Sequence, residues 1–341
     1  MDFQLLKTLT GLPGVAGRED KARDCALAAL KPLVDEARVD ALGNIIALKK
    51  GSGKKLLFAA HLDEIGLAVN FIDSKGFLRF VPLGGVDPKT LVAQRVIVHA
   101  EAGPLYGVIG IKPPHITDAA EAAKAPKFGD LFIDIGMSKA RAEKFVRLGD
   151  SVTAERSAVE FGDAMVTSKA LDNRAGVCAV IEALRLAKNT KCAIYPVITA
   201  QEEVGARGAG AAAFGIEPDI VVAVDTTIAA DVPGVPEHEQ VTRVGGGAVI
   251  TAMDSGTISD VKLVRFVENL AKAKKIPYQI KVINRGGTDA SVMQRARCGA
   301  AACSISTPTR YIHSPVETFS KKDFDCVVRL VAALMENAHK F

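Results

Sequence analysis

The stretch Leu56-Leu-Phe-Ala-Ala60 is apolar at every position and is followed at once by the polar group His61-Leu-Asp63-Glu64. An uninterrupted apolar run of this length is typical of a strand that is buried on both faces, as in a parallel sheet covered by helices. A second strand is predicted over Asn44–Leu48, and the intervening Gly51-Ser-Gly53 is typical of a turn. We therefore predict an α/β domain with His61 and Asp63 at the carboxyl end of one of its strands.

Polar clusters follow three further predicted strands. These are Cys192–Ala200 followed by Gln201-Glu202-Glu203, Ile220–Val224 followed by Asp225-Thr-Thr227, and Ala300–Ile305 followed through a polar loop by Tyr311-Ile-His313. Because ligands bind just outside the carboxyl ends of the strands in open α/β sheets, the clusters are expected to meet at one edge. Carboxylates and imidazoles without cysteine are ligands that suit Zn²⁺, Co²⁺ or Mn²⁺.

Each of these polar residues also has an ordinary structural explanation. A single histidine such as His61 is more often a core or surface residue than a ligand, and Asp172 fits the N-cap of the helix that follows it. Glu202 and Glu203 fit a solvated loop, and Asp225 fits a turn. The agreement of clusters at equivalent strand ends favours a metal site, and two adjacent glutamates allow one to bind metal while the other acts as a general base.

The middle of the chain has a different pattern. Between residues 69 and 169, short alternating runs such as Arg95–His99 and Leu105–Ile111 are separated by Gly or Pro, which is typical of a β-rich domain. Helical spacing of apolar residues is found outside this region, over Arg18–Glu36, Ala175–Ala187, Ser259–Lys274 and Lys321–Lys340. We predict a catalytic domain formed by residues 1–68 and 170–341, interrupted by a β-rich insertion at 69–169.

Composition excludes several classes of function. The 43 basic and 39 acidic residues leave a formal charge of only +4, which disfavours a nucleic-acid or membrane surface. Tryptophan is absent and aromatic residues make up 5%, which disfavours base-stacking platforms. The six cysteines form no CxxC motif and favour a reducing compartment. With no signal-peptide pattern and no apolar run of ~20 residues, a cytoplasmic protein is predicted.

A family resemblance appears in the polar clusters taken together. The segments that carry it are His61-Leu-Asp63-Glu-Ile-Gly66, Leu171-Asp172-Asn-Arg-Ala-Gly176, Gln201-Glu202-Glu203-Val-Gly205, Val224-Asp225-Thr-Thr227 and Tyr311-Ile-His313-Ser-Pro315. In order and spacing they resemble the M42 family of dinuclear metallo-aminopeptidases, from Gly11-Leu-Pro-Gly-Val15 to the last helix. The resemblance implies a zinc-exopeptidase-like α/β/α catalytic domain with an inserted β-rich domain of the PDZ-like or β-barrel kind.

The resemblance also implies a ligand set. Asp172 would bridge two divalent metal ions per subunit, Zn²⁺ or Co²⁺, with Mn²⁺ as a further option. His61 and Asp225 would complete one site, and Glu203 and His313 would complete the other.

Two further residues receive catalytic roles. By the resemblance, Glu202 would be the general base that takes a proton from a water held between the metal ions. Asp63, two residues from His61 on an extended segment, would accept the other imidazole N–H and fix the tautomer. The family often has a cis peptide bond after the bridging aspartate, here between Asp172 and Asn173.

The implied function is hydrolysis of N-terminal residues from peptides. The implied assembly is a homo-oligomer, a dodecamer built from dimers through the insertion; the alternative is a monomer whose insertion shields the cleft. Two other functions stay open: an endoglucanase-type glycoside hydrolase that uses two carboxylates, and a non-catalytic metal-binding or assembly module. The histidines and the absence of tryptophan argue against the first, and a free Glu202 argues against the second.

Overall fold

The computed structural model describes residues 3–118, 120 and 123–341. They form two compact units. The larger unit contains the chain up to Asp63 together with Ser157–Ile312 and Val316–Phe341, and the smaller contains Glu64–Arg156 and His313–Pro315. The predicted division of the chain at residues 68 and 169 stays a prediction.

The strands are numbered in chain order. They are β1 Glu36–Val39, β2 Ile45–Leu48, β3 Lys55–His61, β4 Gly66–Ile72, β5 Leu78–Leu83, β6 Arg95–Ala100, β7 Gly103–Gly110, β8 Phe132–Asp134, β9 Ser151–Ala154, β10 Val159–Phe161, β11 Met165–Ser168, β12 Ala193–Thr199, β13 Ile220–Ile228, β14 Ala248–Met253, β15 Tyr278–Val282, β16 Ala301–Arg310 and β17 Glu317–Ser320.

The helices are numbered in the same way. They are α1 Phe3–Gly11, α2 Asp20–Leu30, α3 Lys139–Phe145, α4 Leu171–Leu186, α5 Arg207–Ile216, α6 Val261–Ala273, α7 Ala290–Met293 and α8 Lys321–Asn337. Side-chain caps begin two of these helices: Asp260 accepts from the Leu263 N–H at 2.8 Å, and Ser320 accepts from the Lys322 N–H at 3.2 Å. Within the described residues, none of the helices is both long enough and apolar enough to cross a membrane.

The larger unit is built on an 11-stranded mixed sheet with the order β1-β2-β12-β3-β13-β16-β17-β11-β10. At its centre, β12, β3, β13 and β16 run parallel to one another. Strand β14 pairs antiparallel with β16, and β15 pairs parallel with β14. The four strands whose ends carry the polar clusters are therefore neighbours, and their carboxyl ends share one edge, as the sequence predicted.

Helices cover both faces of this sheet. On one face Leu56, Phe58 and Ala60 of β3 pack in a core with α1, α2, α4, α6 and α8. On the other face Leu57 and Ala59 pack with α5 and α7. Successive residues of a strand point to opposite faces, which explains why β3 is apolar at every position. The predicted α/β/α arrangement is confirmed.

Some predicted boundaries are wrong, each for a structural reason. The helix expected over Arg18–Glu36 ends at Leu30, where Pro32 follows, and Glu36 begins β1 by pairing with Leu48. The strand expected to end at Val224 continues to Ile228, because its last residues pair with the equally extended end of β16. Asp225 therefore lies within a strand rather than after it.

The smaller unit is a closed barrel with the strand order β4-β5-β8-β7-β6-β9. Its interior is filled by alternating residues of these strands, including Leu67, Val69, Val96, Val98 and Ile133. Closing the sheet on itself leaves no unpaired edge strand, which suits an insertion with a small core. Of the two kinds of β-rich domain expected, the structure contains the barrel.

Candidate metal centre

Three of the predicted ligands meet at the carboxyl end of the parallel strands. His61 is the last residue of β3, Asp225 lies on the neighbouring β13, and Asp172 lies at the start of α4. Their ligand atoms all lie within 4.8 Å of one another, and all three residues are buried. His61 Nε2 is 3.2 Å from Asp172 Oδ1 and 3.7 Å from Asp225 Oδ1.

The imidazole of His61 is oriented by the backbone of Asp63. Its Nδ1 lies 3.1 Å from the Asp63 carbonyl oxygen, whereas the nearer Asp63 carboxylate oxygen is 3.7 Å away. Because a carbonyl oxygen only accepts hydrogen bonds, this contact places the proton on Nδ1 and leaves the Nε2 lone pair for a metal ion. The structure thus adds a main-chain partner to the carboxylate that the sequence predicted.

The carboxylate of Asp63 has a second use. Its Oδ1 accepts from the Glu202 N–H at 2.9 Å, and its Oδ2 accepts from the Glu203 N–H at 3.0 Å. Glu202 Oε2 lies 3.9 Å from His61 Nε2, and a Glu203 carboxylate oxygen lies within 4.8 Å of one from Asp172. One fully buried carboxylate therefore fixes the backbone of both adjacent glutamates.

The start of α4 departs from helical geometry where it carries Asp172. The Asp172–Asn173 peptide bond is cis, as the resemblance implied. The Asp172 N–H donates to Glu317 Oε2 at 2.8 Å, and the Asn173 side chain donates to the Val224 carbonyl at 2.9 Å. The first bond joins Asp172 to β17, and the second joins Asn173 to the residue that precedes Asp225.

Arg174 is a fully buried residue to which the sequence reasoning gave no role. Its guanidinium donates to the Leu62 carbonyl at 2.5 Å and the Leu9 carbonyl at 2.6 Å, with the carbonyls of Leu12 and Gly14 both at 3.4 Å. Leu62 lies between His61 and Asp63, so Arg174 fixes the backbone of both. Arg174 lies in the segment Leu171–Gly176, which also contains Asp172. Its place beside a predicted ligand is the sequence signal that could have identified it.

His313 belongs to the smaller unit. Its Nδ1 lies 3.0 Å from the Gly85 carbonyl oxygen. Because a carbonyl oxygen only accepts hydrogen bonds, this contact places a proton on Nδ1, as in His61. The part of His313 in a second metal site stays a prediction.

Charges in the buried site are unbalanced. Burial is the largest influence on His61 and favours the neutral ring, but Asp172, Asp63, Glu202 and Asp225 outweigh it and raise the pKa of His61 well above its ordinary value. Burial also raises the pKa values of Glu202 and Asp225 well above the usual carboxyl range, although the nearby His61 opposes this. The negative charge of the buried carboxylates is therefore only partly balanced by positive charge within the site.

The site fits a divalent cation. It offers His61 Nε2, the ring nitrogen opposite the one that faces the Asp63 carbonyl, and the oxygens of several buried carboxylates within reach of one another. Buried charges in proteins are paired or coordinate metals, and nitrogen and oxygen ligands in this combination suit Zn²⁺ and similar ions. A bound cation would also supply the positive charge that the carboxylates lack.

Comparisons with known proteins give a family match over most of the chain. A model of the M42 glutamyl aminopeptidase family matches residues 43–330. Lysyl aminopeptidase of Pyrococcus furiosus is 39% identical and aligns over 98% of this chain and 97% of its own.

Solved structures have the same fold. An aminopeptidase from the archaeon Desulfurococcus kamchatkensis superposes with a TM-score of 0.94 at 42% identity, covering 98% of this chain and 94% of its own. The Pyrococcus horikoshii TET1 peptidase, described as assembling into a tetrahedron or a large octahedral shell, has a TM-score of 0.88 at 34% identity, with 98% of each chain covered.

Proposed function

The chain belongs to the M42 glutamyl aminopeptidase family, and from this membership we propose that it is a metal-dependent aminopeptidase that removes N-terminal residues from peptides. One observation carries the proposal. A buried histidine and two carboxylates converge within 4.8 Å at the carboxyl ends of parallel strands, with Glu202 beside them.

We propose two metal positions. His61 and Asp225 hold one ion, Glu203 and His313 hold the other, and Asp172 is shared. Support comes from the short distances that join Asp172 to His61, Asp225 and Glu203. Zn²⁺ or Co²⁺ suits these ligands, and Mn²⁺ is a further option.

When bound, the ions supply Lewis-acid activation of water and of the scissile carbonyl group. Glu202 accepts the proton of the attacking water and returns it to the leaving amine. In the metal-free protein, burial raises the pKa of Glu202 well above its usual range. Asp63 contributes by holding the Glu202 backbone.

We also propose that the chain works as a homo-oligomer, twelve subunits assembled from dimers, in the cytoplasm. The TET1 peptidase, described as assembling into a tetrahedron or a large octahedral shell, supports assembly into a homo-oligomer. The scattered free cysteines support the cytoplasmic location. Peptides are the substrates, and neither nucleic acid nor membrane is a predicted partner.

A substrate panel tests this function. Purified protein is treated with chelator and assayed with aminoacyl-p-nitroanilides and with carboxymethylcellulose, before and after addition of Zn²⁺, Co²⁺ or Mn²⁺. We expect p-nitroaniline release that is lost on chelation and restored by at least one ion, and no cleavage of the polysaccharide. Metal-dependent cleavage of carboxymethylcellulose alone would favour the glycoside hydrolase, and metal binding without turnover would favour a non-catalytic module.

A further inference from the structure

Side chains from separate parts of the chain hold the turn that carries Glu202. Each residue from Thr199 to Glu203 makes one such contact. Thr199 Oγ1 donates to Asp289, the Ala200 N–H donates to Asn44 Oδ1 at 2.9 Å, the Gln201 N–H donates to Glu19 Oε1 at 3.2 Å, and the N–H groups of Glu202 and Glu203 donate to Asp63 at 2.9 and 3.0 Å. Asp63 is a predicted site residue, but Glu19 is not.

Glu19 lies in the N-terminal segment, just before α2. Its side chain turns inward, and the residue is only 4% exposed. The same oxygen that contacts Gln201 also accepts from the Gly17 N–H at 2.9 Å. A buried carboxylate thus links the loop before α2 to a residue 182 positions later in the chain.

The contact falls on an unusual backbone position. Gln201 has φ of +60°, in the left-handed region that residues other than glycine seldom adopt. It is the second residue after β12 and immediately precedes Glu202. A hydrogen bond to the Gln201 N–H therefore influences the direction in which the backbone places Glu202.

We propose that Glu19 is a positioning residue for the general base, an inference that rests on the proposed function. By accepting from Gln201, it holds this residue in the left-handed conformation and so fixes the Glu202 carboxylate relative to His61. Glu19 acts through the backbone and exchanges no proton with the substrate. Misplacement of a catalytic group by 1 Å can lower the rate by about 100-fold, so a contact one residue away is sufficient to matter.

A purely structural role would be different. In that case Glu19 would serve only to close its own loop through Gly17, and its loss would lower stability without changing turnover by the folded enzyme. The two roles are separated by measuring kcat, KM, bound metal and backbone hydrogen exchange on the same variants.

The test uses two substitutions of matched size and one control. Glu19→Gln keeps the shape and an acceptor oxygen, whereas Glu19→Met keeps the volume and removes the acceptor. Glu160→Gln is the control, because Glu160 is exposed and pairs with Lys7 of α1 and with Lys321, away from Gln201.

For Glu19→Met we expect kcat to fall by about 10–100-fold, with KM little changed and the wild-type metal content retained. We also expect faster hydrogen exchange in a peptide spanning residues 199–203, with and without metal. Glu19→Gln should restore most of kcat and of the exchange protection, and Glu160→Gln should match wild type in all four measurements.

Wild-type kcat and exchange in folded Glu19→Met would overturn the proposal. If that variant does not fold, Glu19→Asp replaces it: the shorter side chain keeps the charge but draws the oxygen back from Gln201, and full activity would again overturn the proposal. Glu202→Gln is measured in parallel. Retained activity in Glu202→Gln would refute the proposed function itself, whereas an inactive Glu202→Gln beside a fully active Glu19→Met would refute only the role of Glu19.

Discussion

Asp172 is the residue on which both proposed metal positions depend. Its carboxylate lies 3.2 Å from His61 Nε2 and within 4.8 Å of a Glu203 oxygen. Asp172→Asn keeps the shape but removes the negative charge, so we expect metal affinity to fall by more than the roughly 10–100-fold that loss of an outer partner causes. Elemental analysis after gel filtration measures this.

Asp323→Asn is the matched control for that measurement. Asp323 is also a buried carboxyl group, and it accepts from the Gly245 and Gly247 N–H groups at 2.6 and 2.8 Å. This variant should keep the wild-type metal content. If Asp172→Asn keeps it as well, Asp172 is not a shared ligand.

Asp289 makes the stability of the metal-free protein depend on pH. Burial raises its pKa from 3.8 to about 6. The folded state therefore binds the Asp289 proton more tightly than the unfolded state does, and ionisation of Asp289 lowers the free energy of unfolding. This loss of stability is absent below pH 3.8 and is complete above about pH 6. Asp289→Asn keeps an acceptor for the Thr199 hydroxyl and removes this loss of stability, because asparagine does not ionise.

We therefore expect Asp289→Asn to gain stability over wild type as pH rises from about 4 to 7, by up to about 3 kcal/mol. Urea denaturation in the presence of chelator, at both ends of this range, measures the difference. A difference that does not change with pH would contradict the assignment of this titration to Asp289.

Individual residues show how much of the site could be predicted from the sequence. His61 and Asp225 were identified because each follows a recognisable apolar run in the sequence, and the structure brings them together with Asp172. Glu19 and Glu317 were not identified, because each accepts from the backbone of a residue more than a hundred positions away. Neither of these long-range hydrogen bonds produces a recognisable pattern in the sequence around Glu19 or Glu317.

At the scale of elements, the first turns of α4 depend on close packing against β13. A β-carbon at Gly176 would lie 2.3 Å from the Val224 carbonyl oxygen and 2.2 Å from Asn173 Oδ1. Gly176→Ala is therefore expected to destabilise the protein by about 1–3 kcal/mol or more, and to weaken metal binding because Val224 precedes Asp225. Urea denaturation and metal analysis measure both effects.

Gly215 of α5 is the control for Gly176. A β-carbon there would meet no atom within 4 Å. Gly215→Ala should stabilise the protein by about 0.5–1 kcal/mol through the better helix propensity of alanine. Equal stability of the two variants would show that α4 can move away from β13 without penalty.

The elements also differ in how well their sequences predict them. The buried central strands, such as β3, have apolar runs that identify them directly. Strand β15 at the edge of the sheet alternates exposed Ile280 and Val282 with the buried Lys281, the reverse of the usual pattern, and was not predicted. Its place depends on pairing with β14, which the local sequence does not encode.

At the scale of the whole molecule, the proposed assembly predicts the molecular mass of the protein in solution. We expect light scattering after size exclusion to give the mass of twelve subunits, with dimers as the product of mild dissociation. Dissociated enzyme should still cleave short aminoacyl substrates, because all proposed ligands come from one chain. A single-subunit mass that added metal does not change would refute the assembly.

The measurement that tests the central claim most directly is turnover and metal content of Glu202→Gln. Glutamine keeps the size of Glu202 and the backbone bonds to Asp63 but cannot accept a proton. We expect the wild-type metal content and a kcat lower by about 10²–10⁴-fold on an aminoacyl-p-nitroanilide. Activity within about threefold of wild type, with metal retained, would contradict the assignment of Glu202 as the general base.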